Sequence, residues 1–194
     1  QLLIGLMAEN KLPVVLWPVV QEHIFKNPDI AVRVQAGKYI KRSGSGKTFS
    51  IDAISQLPGD TGAGKINFVR SCQACHRVGT LGTDIGPELT TINKKFDKIA
   101  LLDAIINPSA AIVFGYQPWL VNTREGESVF GFLVAENKQT LTIKDISGKQ
   151  HNLEQEKISS KKKQETSLMP DPSGMDLSEQ QLADIAAFLL SVKE

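Results

Sequence analysis

"SCQACHRVGT", residues 71–80, is the stretch on which the reading of this chain turns. Cys72 and Cys75 stand three apart, His76 follows directly, and the chain has no other cysteine. The background is that of an ordinary globular protein, with 194 residues, 41% of them apolar and 22% charged. Lys plus Arg (22) and Asp plus Glu (21) nearly cancel. A nucleic-acid binder carries a marked basic excess, so no nucleic-acid partner is expected. The apolar start "QLLIGLMA" is too short to span a bilayer and has no basic flank. The start at Gln1 rather than Met is taken to indicate a processed product or a piece of something longer.

Three chemistries use a pair of thiols at this spacing. Structural zinc wants four ligands, usually two Cys/His pairs. Cys72, Cys75 and His76 give three at most, and His23 and His151 are isolated. A redox dithiol normally sits at the start of a helix that follows a strand. Here "GAGKINFVRS" reads as a helix running into the motif. The remaining chemistry is covalent attachment of a c-type haem, the usual meaning of C-x-x-C-H. Two thiols on one helical turn reach the two vinyl groups of a porphyrin, and the next residue turns its imidazole under the iron. Cys72 and Cys75 are then the thioether residues and His76 the proximal ligand.

The flanks carry the same theme. Gly64-x-x-x-Phe68 precedes the motif: the glycine permits close approach of another helix, and the phenylalanine offers an aromatic contact. The last segment, "SEQQLADIAAFLLSV", supplies a partner helix. Ser178 and Gln181 form a capping-box pattern, Leu182, Ile185, Leu189 and Val192 recur at helical spacing, and Phe188 is free to meet the first helix. "GTDIGPELT" is a turn at Pro87, whose backbone carbonyl is a candidate acceptor for the Nδ1–H of His76. "KKFDKIALLDAIINPSA" reads as a helix with Asp97 as cap and Asn107-Pro108 as stop. For the second axial position, Met169 in the Pro-rich loop "SLMPDPSGM" is the first choice and Met175 the second. Met7 belongs to a different segment, and His151 is the bis-histidine competitor.

On these pieces residues 60–194 resemble a class I cytochrome c. More narrowly, "SCQACHRVG", "DIGPELT", "LLDAIINPSAAIVFGYQPW" and "SLMP" are similar to a bacterial haem-binding domain found at the C-terminal end of large predicted membrane-associated dehydrogenases. The resemblance implies a mainly α class I cytochrome c fold holding one haem c (iron), ligated by His76 and Met169. It also implies a linked or partner dehydrogenase domain as electron donor, a downstream acceptor, and membrane association through a parent protein.

The segment between His76 and Met169 is far longer than a small cytochrome c needs. Over 116–160, "WLVNT", "SVFGFLV", "TLTIKD" and "HNLEQ" read as strands separated by "REGE", "ENKQ" and "ISGK" turns. They predict a small antiparallel β insertion. Tyr116 and Trp119, at its start, are candidates to reach a haem propionate, although core packing is the commoner use of such residues. "SSKKKQETS", 159–167, reads as a charged connector. Residues 1–41 read as helices of the kind that end a helical repeat array: a short first one, then "PVVLWPVVQEHIFK" and "DIAVRVQAGKYI". Residues 42–58, including "RSGSGKTFS", read as a linker, and 59–194 as the cytochrome c domain. "GDTGAGKI" mimics a phosphate loop but ends in Ile66 where a Ser or Thr should hold magnesium, so nucleotide binding is not expected.

The expected function is electron transfer, not enzymatic catalysis, at a periplasmic or periplasm-facing site, where haem c is attached. A haem enzyme or gas sensor requires an open sixth position. A metal-stabilised interaction module requires that no haem be attached.

Overall fold

The computed structural model describes residues 2–24, 36, 39 and 48–193. Among these, six α-helices run Leu2–Ala8 (α1), Trp17–His23 (α2), Ile51–Gln56 (α3), Thr61–Ser71 (α4), Lys98–Ile106 (α5) and Glu179–Ser191 (α6). A two-residue hairpin joins Arg77–Val78 (β1) to Leu81–Gly82 (β2). Five more strands follow: Pro118–Thr123 (β3), Ser128–Glu136 (β4), Thr140–Asp145 (β5), Gln150–Glu154 (β6) and Ile158–Lys163 (β7). The reading of "DIAVRVQAGKYI" as a helix falls largely outside the described residues, as does 42–47 of the 42–58 linker, within which Ile51–Gln56 is the helix α3, capped by Ser50.

Contacts divide the chain into two units. One comprises the described residues of 41–111 and 169–194 and is helical. Asp60, Asp97 and Ser178 accept hydrogen bonds from the backbone N–H of Ala63, Ala100 and Gln181, capping α4, α5 and α6. Gln181 returns the bond to Ser178, completing the capping box. The core of this unit joins Phe68, Leu101, Leu102, Leu182, Ile185 and Leu189. At the centre α4 meets α6 so closely that a Cβ on Gly64 would fall on the Asp184 carbonyl and 2.8 Å from the Phe188 Cβ. Beside that contact Phe68 and Phe188 pack with ring centroids 5.6 Å apart. Asp184, buried in the same crossing, accepts from the backbone N–H of Asp60 at 2.9 Å and so ties the start of α4 to α6.

The other unit comprises the described residues of 1–40 and 112–168. Its sheet is antiparallel with strand order β6-β5-β4-β3-β7. Alternating residues Val121, Val129, Leu141, Ile143 and Leu153 form the sheet's own core. Gly126 (φ 89°) and Gly148 (φ 85°) supply the positive φ that two of the connecting turns require. A separate cluster of Met7, Leu12, Val20, Ile24 and Ala36 holds the N-terminal helices.

The expectation of a mainly α fold is therefore wrong. Helix accounts for 36% and strand for 22% of the structure, so the fold is mixed. The physical reason is that the segment read as an insertion forms a five-stranded sheet with an apolar core of its own, Val121, Val129, Leu141, Ile143 and Leu153. The helices, at most 13 residues long, do not dominate it. The charged connector is also corrected in part, because Ile158–Lys163 is the fifth strand and pairs with β3. An edge strand is held by backbone bonds on one side and needs no apolar alternation, and exposed lysines are common there because they discourage further pairing.

The turn from β5 to β6 is built around buried Asp145. Its carboxylate accepts from the Ser147 N–H (2.8 Å), the Ser147 hydroxyl (2.6 Å), the Lys149 N–H (3.1 Å) and His151 Nε2 (2.6 Å). Burial alone would push its pKa up, but the hydrogen bonds from Ser147, His151 and Lys149 together outweigh burial and hold it below the ordinary value. A depressed carboxylate stabilises the fold above its unfolded pKa, about 3.9, and that stability is lost as pH falls below this value. The melting temperature is thus expected to drop below about pH 4. In Asp145→Asn this acid limb should shrink, which calorimetry across the acid range will show.

Candidate functional site

Helix α4 ends at Ser71, and Cys72 is its C-cap. The chain continues as a turn in which the N–H groups of Cys75 (3.1 Å) and His76 (3.0 Å) both donate to the Cys72 carbonyl. The C-x-x-C-H motif is therefore one turn at the C-terminal end of a helix, where the negative end of the dipole disfavours a thiolate. Burial, together with the neighbouring Cys75, pushes the Cys72 thiol up to about 12. This is the opposite of the electropositive helix start that a redox dithiol uses. Among the described residues no three His, Cys, Asp or Glu side chains form a group that could hold a metal ion.

His76 is half-buried, and its Nδ1 lies 2.7 Å from the Pro87 carbonyl. A carbonyl only accepts, so Nδ1 carries the proton and Nε2 keeps its lone pair for a ligand. Burial lowers the pKa of the ring, with the Pro87 bond acting in the other direction. Gly86 lies against the imidazole, where a Cβ would stand 2.9 Å from Cε1 and 3.1 Å from Nδ1. The glycine before Pro87 is therefore a steric requirement of the ring position.

Of the other residues singled out in the sequence, Met169 and Met175 are both half-buried and both pack on the helical core, as does Cys72. Met7 lies in the N-terminal cluster of the other unit. His151 belongs to the Asp145 turn of the sheet unit. Tyr116 and Trp119 also belong to the sheet unit. Tyr116 meets Phe132 edge-on at 5.4 Å, and the Lys161 Nζ sits 5.1 Å from the Trp119 ring centre. The structure groups the cysteines, His76, Pro87 and the two loop methionines in one unit and places the two aromatics in the other.

Sequence reasoning missed Asn67 and Ser71. They stand one helical turn apart on α4, only 8% and 7% exposed, and their side chains have no hydrogen-bond partner among the described residues. The other buried polar residues, Thr123, Asp145 and Asp184, all have partners. Composition gives no signal for such a pair, because Asn and Ser on a helix ordinarily face solvent. Sequence reasoning also missed Thr83, whose contacts depend entirely on how the loop folds back.

The chain matches no protein-family model and no curated protein sequence.

Proposed function

We propose that the helical unit binds one haem c and transfers electrons. The observation that carries this is the His76 ring, set by the Pro87 carbonyl with Nε2 left to ligate, on a turn shared with two cysteines. The residues present fit the group. Cys72 and Cys75 would anchor it as thioethers, and Gly86 leaves room for the ring of the proximal ligand. Met169 would supply the distal sulfur. Bound haem supplies a one-electron ferric/ferrous couple. The chain's own part is to hold it in place, to exclude water with the apolar core around Phe68 and Leu182, and to favour the reduced form through the thioether ligand.

If His76 and Met169 both hold the iron, no position would remain for a substrate, which supports a carrier role over enzymatic catalysis. The donor would be a dehydrogenase, linked or separate, and the recipient a downstream electron acceptor. Covalent attachment of this kind takes place outside the bacterial cytoplasm, which supports a periplasmic location or membrane association through a parent protein. Among the described residues no helix is long and apolar enough to cross a membrane.

The test is to produce the chain in a host with haem c maturation and denature it. Haem should remain on the polypeptide after extraction with acidified acetone, and the double variant Cys72→Ser/Cys75→Ser should lose it. Wild-type protein that carries no covalent haem would overturn this reading.

A further inference from the structure

The carbonyls at the end of a helix have no intrahelical donors and must find them elsewhere. In the motif turn they find them in one loop. Gln73 accepts from the Thr83 N–H (3.1 Å), Ala74 from the Thr83 hydroxyl (2.8 Å), Cys75 from the Gly86 N–H (2.5 Å) and Arg77 from the Leu89 N–H (2.9 Å). His76, between them, donates through its ring to Pro87. Five consecutive residues, 73–77, are thus bonded in order to the loop 83–89. Gly82, just before, has φ 93°, and a Cβ there would fall on the His76 carbonyl and 3.1 Å from that of Gln73. The loop cannot lie this close with any larger residue at that position.

Within this ladder Thr83 differs from the rest. It is exposed, makes no contact with the imidazole in the ladder, and holds the turn from both its backbone and its side chain. Its hydroxyl lies 3.4 Å from the Gln73 carbonyl as well, so it spans both residues between the cysteines. We propose that Thr83 is a positioning residue: its hydroxyl fixes the Gln73–Ala74 backbone and, through it, the orientation in which His76 meets the iron. This rests on the haem reading above. Without the hydroxyl, the Ala74 carbonyl loses its donor at the rim of the site. The turn can then rotate while Pro87 still holds Nδ1, which tilts the ring against its ligand bond.

The experiment compares haem-loaded wild type, Thr83→Val and Thr83→Ser. Valine keeps the branched shape and the backbone N–H but removes the hydroxyl, and serine keeps the hydroxyl. The readouts are the electron paramagnetic resonance g values of the low-spin ferric form, which report axial ligand orientation, and the high-spin fraction. Far-UV circular dichroism controls for folding. Thr83→Val is expected to shift the largest g value and raise the high-spin fraction several-fold with an unchanged dichroism spectrum, and Thr83→Ser to restore both. Wild-type g values in Thr83→Val would overturn the proposal while leaving the haem reading intact. So would a shift in Thr83→Ser equal to that in Thr83→Val. Absence of covalent haem from the wild type would overturn the haem reading, and this proposal with it.

Discussion

Gly64→Ala is expected to lower the stability of the helical unit by about 3 kcal/mol, even though it adds a good helix former to a helix. The two effects oppose each other. Replacing glycine by alanine inside a helix contributes about 1 kcal/mol through reduced backbone freedom. Against that, the new methyl group must occupy space already taken by the Asp184 carbonyl carbon at 2.6 Å and the Phe188 Cβ at 2.8 Å. The first obstacle is backbone, so it cannot rotate away, and α4 and α6 must separate. Separation also loosens the Phe68–Phe188 contact and the Asp184 cap on Asp60. A loss of about 3 kcal/mol is a large share of a typical domain stability of roughly 5–15 kcal/mol. Gly62, on the same helix, is the control. A Cβ there meets only an Asp60 carboxylate oxygen, at 3.2 Å, so Gly62→Ala should stay within about 1 kcal/mol of wild type. Chemical denaturation of the three proteins checks the ordering. An unchanged midpoint for Gly64→Ala would mean that the helices do not cross at that glycine.

Met169→Ala is expected to remove the weak far-red sulfur-to-iron absorption of the ferric protein. It is also expected to lower the reduction potential, on the order of 0.1 V within the ~0.8 V range that axial ligands span. The argument follows from the proposed ligation. A thioether favours ferrous iron, and its loss leaves water or a weaker donor in its place. The alternative donor is nearby in sequence and in packing. Met175 borders the same core, in a tight turn closed by its own N–H donating to the Pro172 carbonyl at 3.2 Å, with Asp176 at φ 56°. If the far-red band survives Met169→Ala and is lost in Met175→Ala, the distal ligand is Met175. If both single variants keep the band, each methionine replaces the other, and the double variant Met169→Ala/Met175→Ala should lose it. Absorption spectra and redox titration of the two variants decide among these outcomes.

Much of the helical unit was legible in the sequence because its signals are local. Asp97 and Ser178 mark helix starts by their side-chain chemistry, and Leu182, Ile185 and Leu189 mark a buried face by spacing alone. Gly64 and Phe68 marked a crossing because a missing side chain and an aromatic one, four apart, form a ready seat for another helix. The sheet's first four strands were equally plain as short runs rich in Val, Leu, Ile, Phe and Thr between the polar turns "REGE", "ENKQ" and "ISGK". What local pattern did not convey was weight. It presented the sheet as an ornament on a helical fold, because it does not measure how much apolar surface five paired strands bury together. It also missed β7, whose serines and lysines carry no periodic signal.

The sequence by itself determined that two thiols and an imidazole would share one turn, that a carbonyl at Pro87 was available to the ring, and that the segments around them would be helical. Spacing on a helix and the fixed φ of proline are properties of the chain before it folds. Only the tertiary structure decided that Tyr116 and Trp119 belong to the sheet unit, and that Asn67 and Ser71 are buried without partners among the described residues. It alone also placed Thr83 on the carbonyls between the cysteines. Those outcomes depend on which distant backbone groups meet when loops close and helices cross. Their free energy is set by contacts between residues that nothing in the local sequence brings together.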